Sequence, residues 1–302
     1  MSRLRAYAQL VRLPNLPTAL ADICLAGLAL AFQPPVGDLV DGFPALRFLL
    51  LLLASACLYT AGMVWNDYFD LEQDKRERPF RPLPSGRVSP GEALRLGAAL
   101  LLGGVLFAFF AHRTAFVVSL FLVAAILLYD RWLKRTWAGP VAMGSCRFLN
   151  VLLGLSLAGT IPWPWGVHLA LVVGLYIVSV TWLARTEARM SQRSALQGAA
   201  AVMLVSLLLA LPLPVQTTTS VASPLFPYLL VLLGFLVGLP VCQAIRRPTP
   251  EKVQAAVGRC LMALVVLDAV LATAVAGTIG LLLLLLLPPI ILLRKMRWLY
   301  AT

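Results

Sequence analysis

Apolar positions in this chain come in long unbroken blocks, rich in Leu, Ala and Val, with charges, prolines and glycines gathered between them. Crossing the hydrocarbon core of a bilayer takes about 20 apolar residues as a helix. The blocks predict ten such spans, at 15–33, 44–66, 92–111, 114–130, 139–160, 166–186, 195–213, 224–245, 255–275 and 277–293. Alternating segments of about ten residues, the pattern of an outer-membrane barrel, do not occur. In lipid a helix satisfies its own backbone hydrogen bonds, so unbroken blocks of this kind read as helices. The stretch 259–293 is too long for one span, and Gly277 offers a hairpin point; one bent helix there would leave nine. The expected fold is therefore all-α: one membrane domain over residues 1–302, a polytopic transmembrane bundle of nine or ten helices.

The polar positions orient the bundle. All but three of the 25 Lys and Arg fall before span one, after the even-numbered spans, or in the tail. The exceptions are Arg47, Arg113 and the intramembrane Arg147. Basic loops stay in the cytoplasm, which puts both termini and the 67–95 loop on that side. The net charge of +12 is thereby accounted for without a nucleic-acid partner. Only 13% of residues are charged and 60% are hydrophobic, against about 25% charged in soluble domains. The expected location is a bacterial cytoplasmic membrane, with membrane lipid as surroundings. Arg3, Arg5 and Arg12 before an apolar stretch resemble a signal peptide, but Pro14, Pro17 and Asp22 interrupt that stretch and favour a retained first helix. The five cysteines form no CxxC or CxxH spacing, so neither a disulfide framework nor a zinc site is expected.

One segment carries chemistry. In Trp65-Asn66-Asp67-Tyr68-Phe69-Asp70-Leu71-Glu72-Gln73-Asp74, the residues Asn66, Asp70 and Asp74 recur every fourth position and share a helix face, about 6 Å apart per step along the axis. Aligned carboxylates repel one another unless cations lie nearby. Magnesium takes oxygen ligands and bridges one or two carboxylates to phosphates. The string that follows, Arg78-Pro79-Phe80-Arg81-Pro82-Leu83-Pro84-Ser85-Gly86, supplies guanidinium groups suited to bidentate phosphate contacts. Asn66, Asp70 and Asp74 are the expected magnesium ligands, with Asp67 in reserve.

This segment resembles the first aspartate-rich motif of the UbiA superfamily of intramembrane prenyltransferases, with its trailing RP-x-RP-L-P-S-G signature. Tyr129-Asp130-Arg131-Trp132-Leu133-Lys134 resembles the family's YDxxLK element. Arg12, and the stretch 139–159 with Arg147 and Asn150 inside it, also fit the layout. The resemblance implies a helical bundle around a lipid-open cavity in which an isoprenyl diphosphate, held through Mg2+, alkylates a lipophilic, commonly aromatic, acceptor. It implies substrate contacts from Arg12, Asn66, Arg78, Arg81, Tyr129, Lys134 and Arg147. Tyr59, Trp65, Tyr68 and Trp182 are aromatic candidates for stabilising a cationic intermediate.

The chain departs from the family where a second aspartate-rich motif is usual. Residues 180–193 hold a single acid, Glu187, flanked by Arg185 and Arg189. Asp70 and Asp74 with Glu187 are then the expected catalytic set, and Arg185 and Arg189 stand in for a second metal by neutralising diphosphate directly. Two alternatives are a non-catalytic prenyl-lipid binding or transport component on the same fold, and an unrelated secondary transporter with its substrate site at the midplane.

Overall fold

The computed structural model describes residues 3–32, 43–185, 192–216 and 222–296. The helices are α1 (Arg3–Leu10), α2 (Leu16–Phe32), α3 (Ala45–Phe69), α4 (Leu71–Glu77), α5 (Pro90–Ala111), α6 (Arg113–Arg131), α7 (Gly139–Leu155), α8 (Trp165–Ala184), α9 (Arg193–Ala210), α10 (Leu213–Gln216), α11 (Phe226–Arg246), α12 (Pro250–Ala276) and α13 (Leu287–Lys295). No strand occurs among the described residues. Among the described residues nine apolar helical segments are long enough to cross a membrane, the last of them the 46-residue stretch Pro250–Lys295.

Local sequence sets the ends of these elements. At the start of α5, the Ser89 hydroxyl accepts from the Glu92 N–H at 3.2 Å and the Ser89 N–H donates to the Glu92 carboxylate at 2.8 Å, with Pro90 in the first turn. That reciprocal cap satisfies two otherwise orphaned donors. At the end of α12, Gly277 takes φ 74° and ψ −164°, a region open to glycine and strained for other residues. The chain reverses there.

After Gly277 the polypeptide runs back along α12. Gly280 lies against Ala272 and Thr273, and Ile290 packs with Val265, with Met262 beside them. The returning arm begins as a ten-residue 3-10 helix, Gly277–Leu286, before α13. Three residues per turn puts Gly277, Gly280 and Leu283 in one row, and all three are buried. Ten residues rising about 2.0 Å each and nine rising about 1.5 Å give about 33 Å, enough to cross about 30 Å of hydrocarbon. The last segment thus crosses twice, which agrees with ten spans rather than a single bent helix.

Contacts between distant segments define two ends. At the cation-rich end, Arg294 donates to the Asn15 side chain at 3.2 Å, Arg193 to the Arg246 carbonyl at 3.4 Å, and Arg3 stands 3.9 Å from Glu92. At the other end, Thr114 bonds the Gly159 carbonyl, His168 Nε2 pairs with the Leu209 carbonyl at 2.7 Å, and the Ser223 N–H donates to the Thr273 carbonyl at 2.9 Å. The main core joins residues of α2, α3 and α6–α9 with α11 and α12.

The hairpin gives a direct test. A Cβ on Gly280 would meet backbone atoms of Ala272 and Thr273 at 2.6 Å, whereas one on Gly258 meets nothing within 4 Å. Gly280→Ala is expected to destabilise by about 1–3 kcal/mol through overpacking, and Gly258→Ala to be neutral or stabilising by up to about 1 kcal/mol. Thermal unfolding in detergent micelles checks the pair.

Candidate functional site

A cavity of about 490 Å³ opens at the cation-rich end, walled by α2, α3, α6, α7 and α8. Its mouth is charged and its floor apolar, with Leu58, Leu122, Ile126, Ile177, Val180 and Leu261 below. Asn66, Asp70 and Asp74 all line it, together with Arg12, Arg78, Arg81, Tyr129 and Arg147. The four-residue spacing survives a break in the helix. α3 ends at Phe69 and α4 starts at Leu71, yet the Asp70 N–H still donates to the Asn66 carbonyl at 3.1 Å and the Asp74 N–H to the Asp70 carbonyl at 2.8 Å.

Each carboxylate is met by cations from a different part of the chain. Arg12 precedes α2 and donates to Asp67 at 2.9 Å and to Asn66 at 3.4 Å. Its backbone is left-handed, φ 48° and ψ 50°, a conformation that costs a non-glycine residue about 1–2 kcal/mol. Burial works to lower the Arg12 pKa, but Asp67, Tyr59 and Asp130 together outweigh it and raise the guanidinium above its ordinary value, so Arg12 stays charged. Arg81 reaches Asp74 at 2.8 Å and Asp67 at 3.5 Å. Lys134 and Arg135, from the turn between α6 and α7, hold Asp70 at 2.7 and 3.2 Å. Asn66 donates to Asp130 at 3.1 Å.

These contacts revise the residue-by-residue expectations. Lys134, expected as a substrate contact, is paired with Asp70. Asp67 is the shared partner of Arg12 and Arg81. Arg147 does not present a free guanidinium. It donates to Asp22 at 2.8 Å, to the Thr18 carbonyl at 2.9 Å and to the Thr18 hydroxyl at 2.7 Å, with Tyr59 5.7 Å away. Arg185 lies outside the cavity wall; it donates to the carbonyls of Lys134 (3.3 Å), Trp137 (3.4 Å) and Thr136, clamping the turn that carries Lys134. Glu187 and Arg189 lie outside the described residues. Of the aromatic candidates, Tyr59 lines the cavity. Trp65 and Tyr68 pack on each other and on Phe69, and Trp182 packs over Gly198.

The donor set suits magnesium. Asp70 and Asp74 carry oxygen ligands into a cavity whose lining also holds Asn66, Gln73, Glu77 and Asp130 beside the arginines. Among the described residues no three acid, histidine or cysteine side chains converge as a complete cage. Magnesium rarely uses such cages; it takes one or two carboxylates and fills its octahedron with water and phosphate oxygens.

Comparison with known proteins agrees with this geometry. The family model described as "UbiA prenyltransferase family" matches residues 23–267. The digeranylgeranylglyceryl phosphate synthase of Korarchaeum cryptofilum is 37% identical over 112 residues, covering 37% of this chain and 40% of that protein. The synthase of the same name from Methanococcoides burtonii is 30% identical over 161 residues, covering 52% of this chain and 56% of that protein. The chain thus spans about half the length of the curated relatives it matches. Among solved structures, one described as concerned with digeranylgeranylglyceryl phosphate synthase in membranes superposes with a TM-score of 0.67 at 22% identity, over 91% of this chain and 99% of that one. A UbiA homolog from Archaeoglobus fulgidus, bound to GPP and Mg2+, gives a TM-score of 0.61 at 16% identity, over 84% of this chain and 98% of that one. At these identities the likeness is one of fold. The named relatives are archaeal, so they lend no support to a bacterial source.

The ion pairs predict unequal costs. Arg81 and Asp74 are both nearly buried, at 13% and 5% side-chain exposure, whereas Lys75 and Glu72 stay at 50% and 79%. Arg81→Gln leaves Asp74 uncompensated and is expected to cost about 3 kcal/mol or more, while Lys75→Gln changes stability by under about 0.5 kcal/mol. Adding Asp74→Asn to Arg81→Gln is expected to recover part of the loss in the same thermal unfolding assay.

Proposed function

The chain belongs to the UbiA prenyltransferase family, and on that footing we propose that it transfers a prenyl group from an isoprenyl diphosphate to a lipophilic acceptor within the membrane. The observation that carries this reading is one cavity in which a charged mouth opens directly onto an apolar floor. Those two chemistries match the two halves of a prenyl diphosphate. In the reaction the bond between the prenyl C1 and the diphosphate oxygen breaks, a bond from C1 to an acceptor oxygen forms, and the acceptor proton leaves with the diphosphate.

Asn66, Asp70 and Asp74 are the residues that would hold magnesium, which when bound supplies charge stabilisation for the departing diphosphate. Every other part of the site belongs to the chain's own side chains. Arg78, Arg81, Arg12 and Lys134 stand where diphosphate oxygens would lie, and three of them are already committed to carboxylates. Substrate binding would therefore be an exchange: with Asp70 and Asp74 engaged in holding magnesium, Lys134 and Arg81 would turn from them towards phosphate. Arg185 supports Lys134 by fixing the carbonyls of its turn. The leucine and isoleucine floor takes the prenyl chain and keeps water from C1. Tyr129 and Tyr59 line the wall between mouth and floor.

For the acceptor, the names of the relatives favour a lipid bearing glycerol phosphate over the aromatic ring expected from the wider family. The test is magnesium-dependent release of diphosphate from geranylgeranyl diphosphate by protein in lipid nanodiscs, with geranylgeranylglyceryl phosphate and a panel of phenols as competing acceptors. Turnover is expected with the glycerophosphate lipid and only with magnesium. Asp70→Asn is expected to lower it by about 100-fold or more. Preference for a phenol would overturn the acceptor, and tight magnesium-dependent binding without turnover would favour a lipid-binding component.

A further inference from the structure

A second polar cluster lies deeper, among α2, α3, α7 and α12, away from the ion pairs of the mouth. Asp22 and Asp268 are fully buried in it. The Asp22 Oδ2 atom accepts from Arg147 at 2.8 Å and from Asn150 at 2.8 Å. Asn150 also donates to the Ala19 carbonyl at 2.9 Å and accepts from Ser55 at 2.8 Å, so its orientation is fixed. Asp268 comes from α12. Ala21 and Val265, next to and one turn from the two acids, pack in one cluster, which brings the two carboxyl groups into one buried polar site.

Three of the four carboxyl oxygens have no donor: Asp22 Oδ1 and both oxygens of Asp268. The remaining titratable groups facing the cluster are Cys24 on α2, Tyr59 on α3, Cys146 on α7 and Tyr176 on α8, none of which brings a positive charge. Among the described residues Arg147 is the one cation against two acids. Two ionised carboxylates in one buried site, sharing one guanidinium inside a bilayer, leave a net negative charge whose desolvation costs several kcal/mol. Buried groups in that position neutralise instead, and an interacting carboxyl pair takes up protons as a pair. A single proton removes the excess charge and pairs two of the three orphaned oxygens: an O–H on Asp268 donates to Asp22 Oδ1, while Asp22 Oδ2 keeps Arg147 and Asn150.

We infer that Asp22 and Asp268 hold one shared proton, carried on Asp268, making the Asp22–Arg147–Asp268 cluster electrically neutral. Asp268 is then a positioning residue. It fixes Asp22, and through Asp22 it fixes Arg147 as a wall of the cavity rather than as a free cation. Anion binding is thereby confined to the mouth, and the lower cavity is left without net charge for an apolar chain. The shared proton stands independently of any activity; its consequence for the cavity rests on the prenyl-diphosphate reading.

Infrared spectroscopy of the full chain in ester-free detergent at neutral pH tests the proton without reference to turnover. A protonated-carboxyl band that shifts on transfer to D2O is expected, and it is expected to disappear in Asp268→Asn. Asp22→Asn should abolish it as well, because Asp268 would then be the single acid beside Arg147 and would ionise. Asp130→Asn serves as the control, and the Asp268-dependent band should survive it. A band that persists unchanged in both the Asp268 and Asp22 variants, or none in the parent protein, would overturn the inference. So would a melting temperature that falls when sodium and potassium are replaced by choline in the parent but not in Asp268→Asn, since an alkali ion would then be the missing cation.

Discussion

Carboxylates at the end of a membrane helix must be matched by cations, and much of the bundle's cation-rich end is arranged around that requirement. Asp67, Asp70 and Asp74 lie within about two turns of one another, and Asp67 and Asp74 are buried. Their counterions come from three separate stretches of sequence: Arg12 ahead of α2, Arg81 in the loop after α4, and Lys134 with Arg135 between α6 and α7. Removing one partner of a buried pair costs about 3–5 kcal/mol. Such pairs open readily only when another cation takes the vacated place. On the proposed reading, a diphosphate with its metal would bring both a cation for the acids and an anion for the arginines and lysine, so the pairs could exchange without leaving a buried charge unmatched.

The same requirement divides the interior into layers. The mouth holds many charges of both signs and is open to exchange. Beneath it, Arg147 is bound on both terminal nitrogens and balanced by Asp22, so the lower wall is polar in composition but neutral in sum. Below and beside that wall the lining is aliphatic. Arg185 extends the logic outwards, since it touches no acid of the site and instead grips the carbonyls of the turn that presents Lys134.

Much of this was legible in the sequence, and the exceptions have physical causes. Span lengths and the one-sided distribution of cations follow from bilayer thickness and charge, and both carry over to the structure. The hairpin at Gly277 was readable because a glycine interrupts an otherwise continuous block. The 3-10 winding of the returning arm was not, since the run Leu281–Leu287 is uniform and shows no period; only the spacing of Gly277 and Gly280 hints at it. The ladder Asn66, Asp70, Asp74 was visible as a four-residue repeat. Asp67 stood about 100° off that face, so periodicity ranked it last although two arginines converge on it. Lys134 was legible as a substrate contact but its pairing with Asp70 was not, since α6 ends at Arg131 and the following turn carries Lys134 across to that acid. Pairings between distant helices, such as Arg147 with Asp22, depend on how helices rotate against one another, which a single helix's pattern does not encode.

The most direct measurement is a crystal structure with manganese in place of magnesium and a non-cleavable prenyl thiodiphosphate, the metal located by its anomalous scattering. The expected result is a manganese peak on Asp70 and Asp74 beside Asn66, with Lys134 and Arg81 moved from those carboxylates onto phosphate oxygens and the prenyl chain over Leu58 and Ile126. A bound analogue with the Lys134–Asp70 and Arg81–Asp74 pairs intact, and the metal elsewhere or absent, would contradict it.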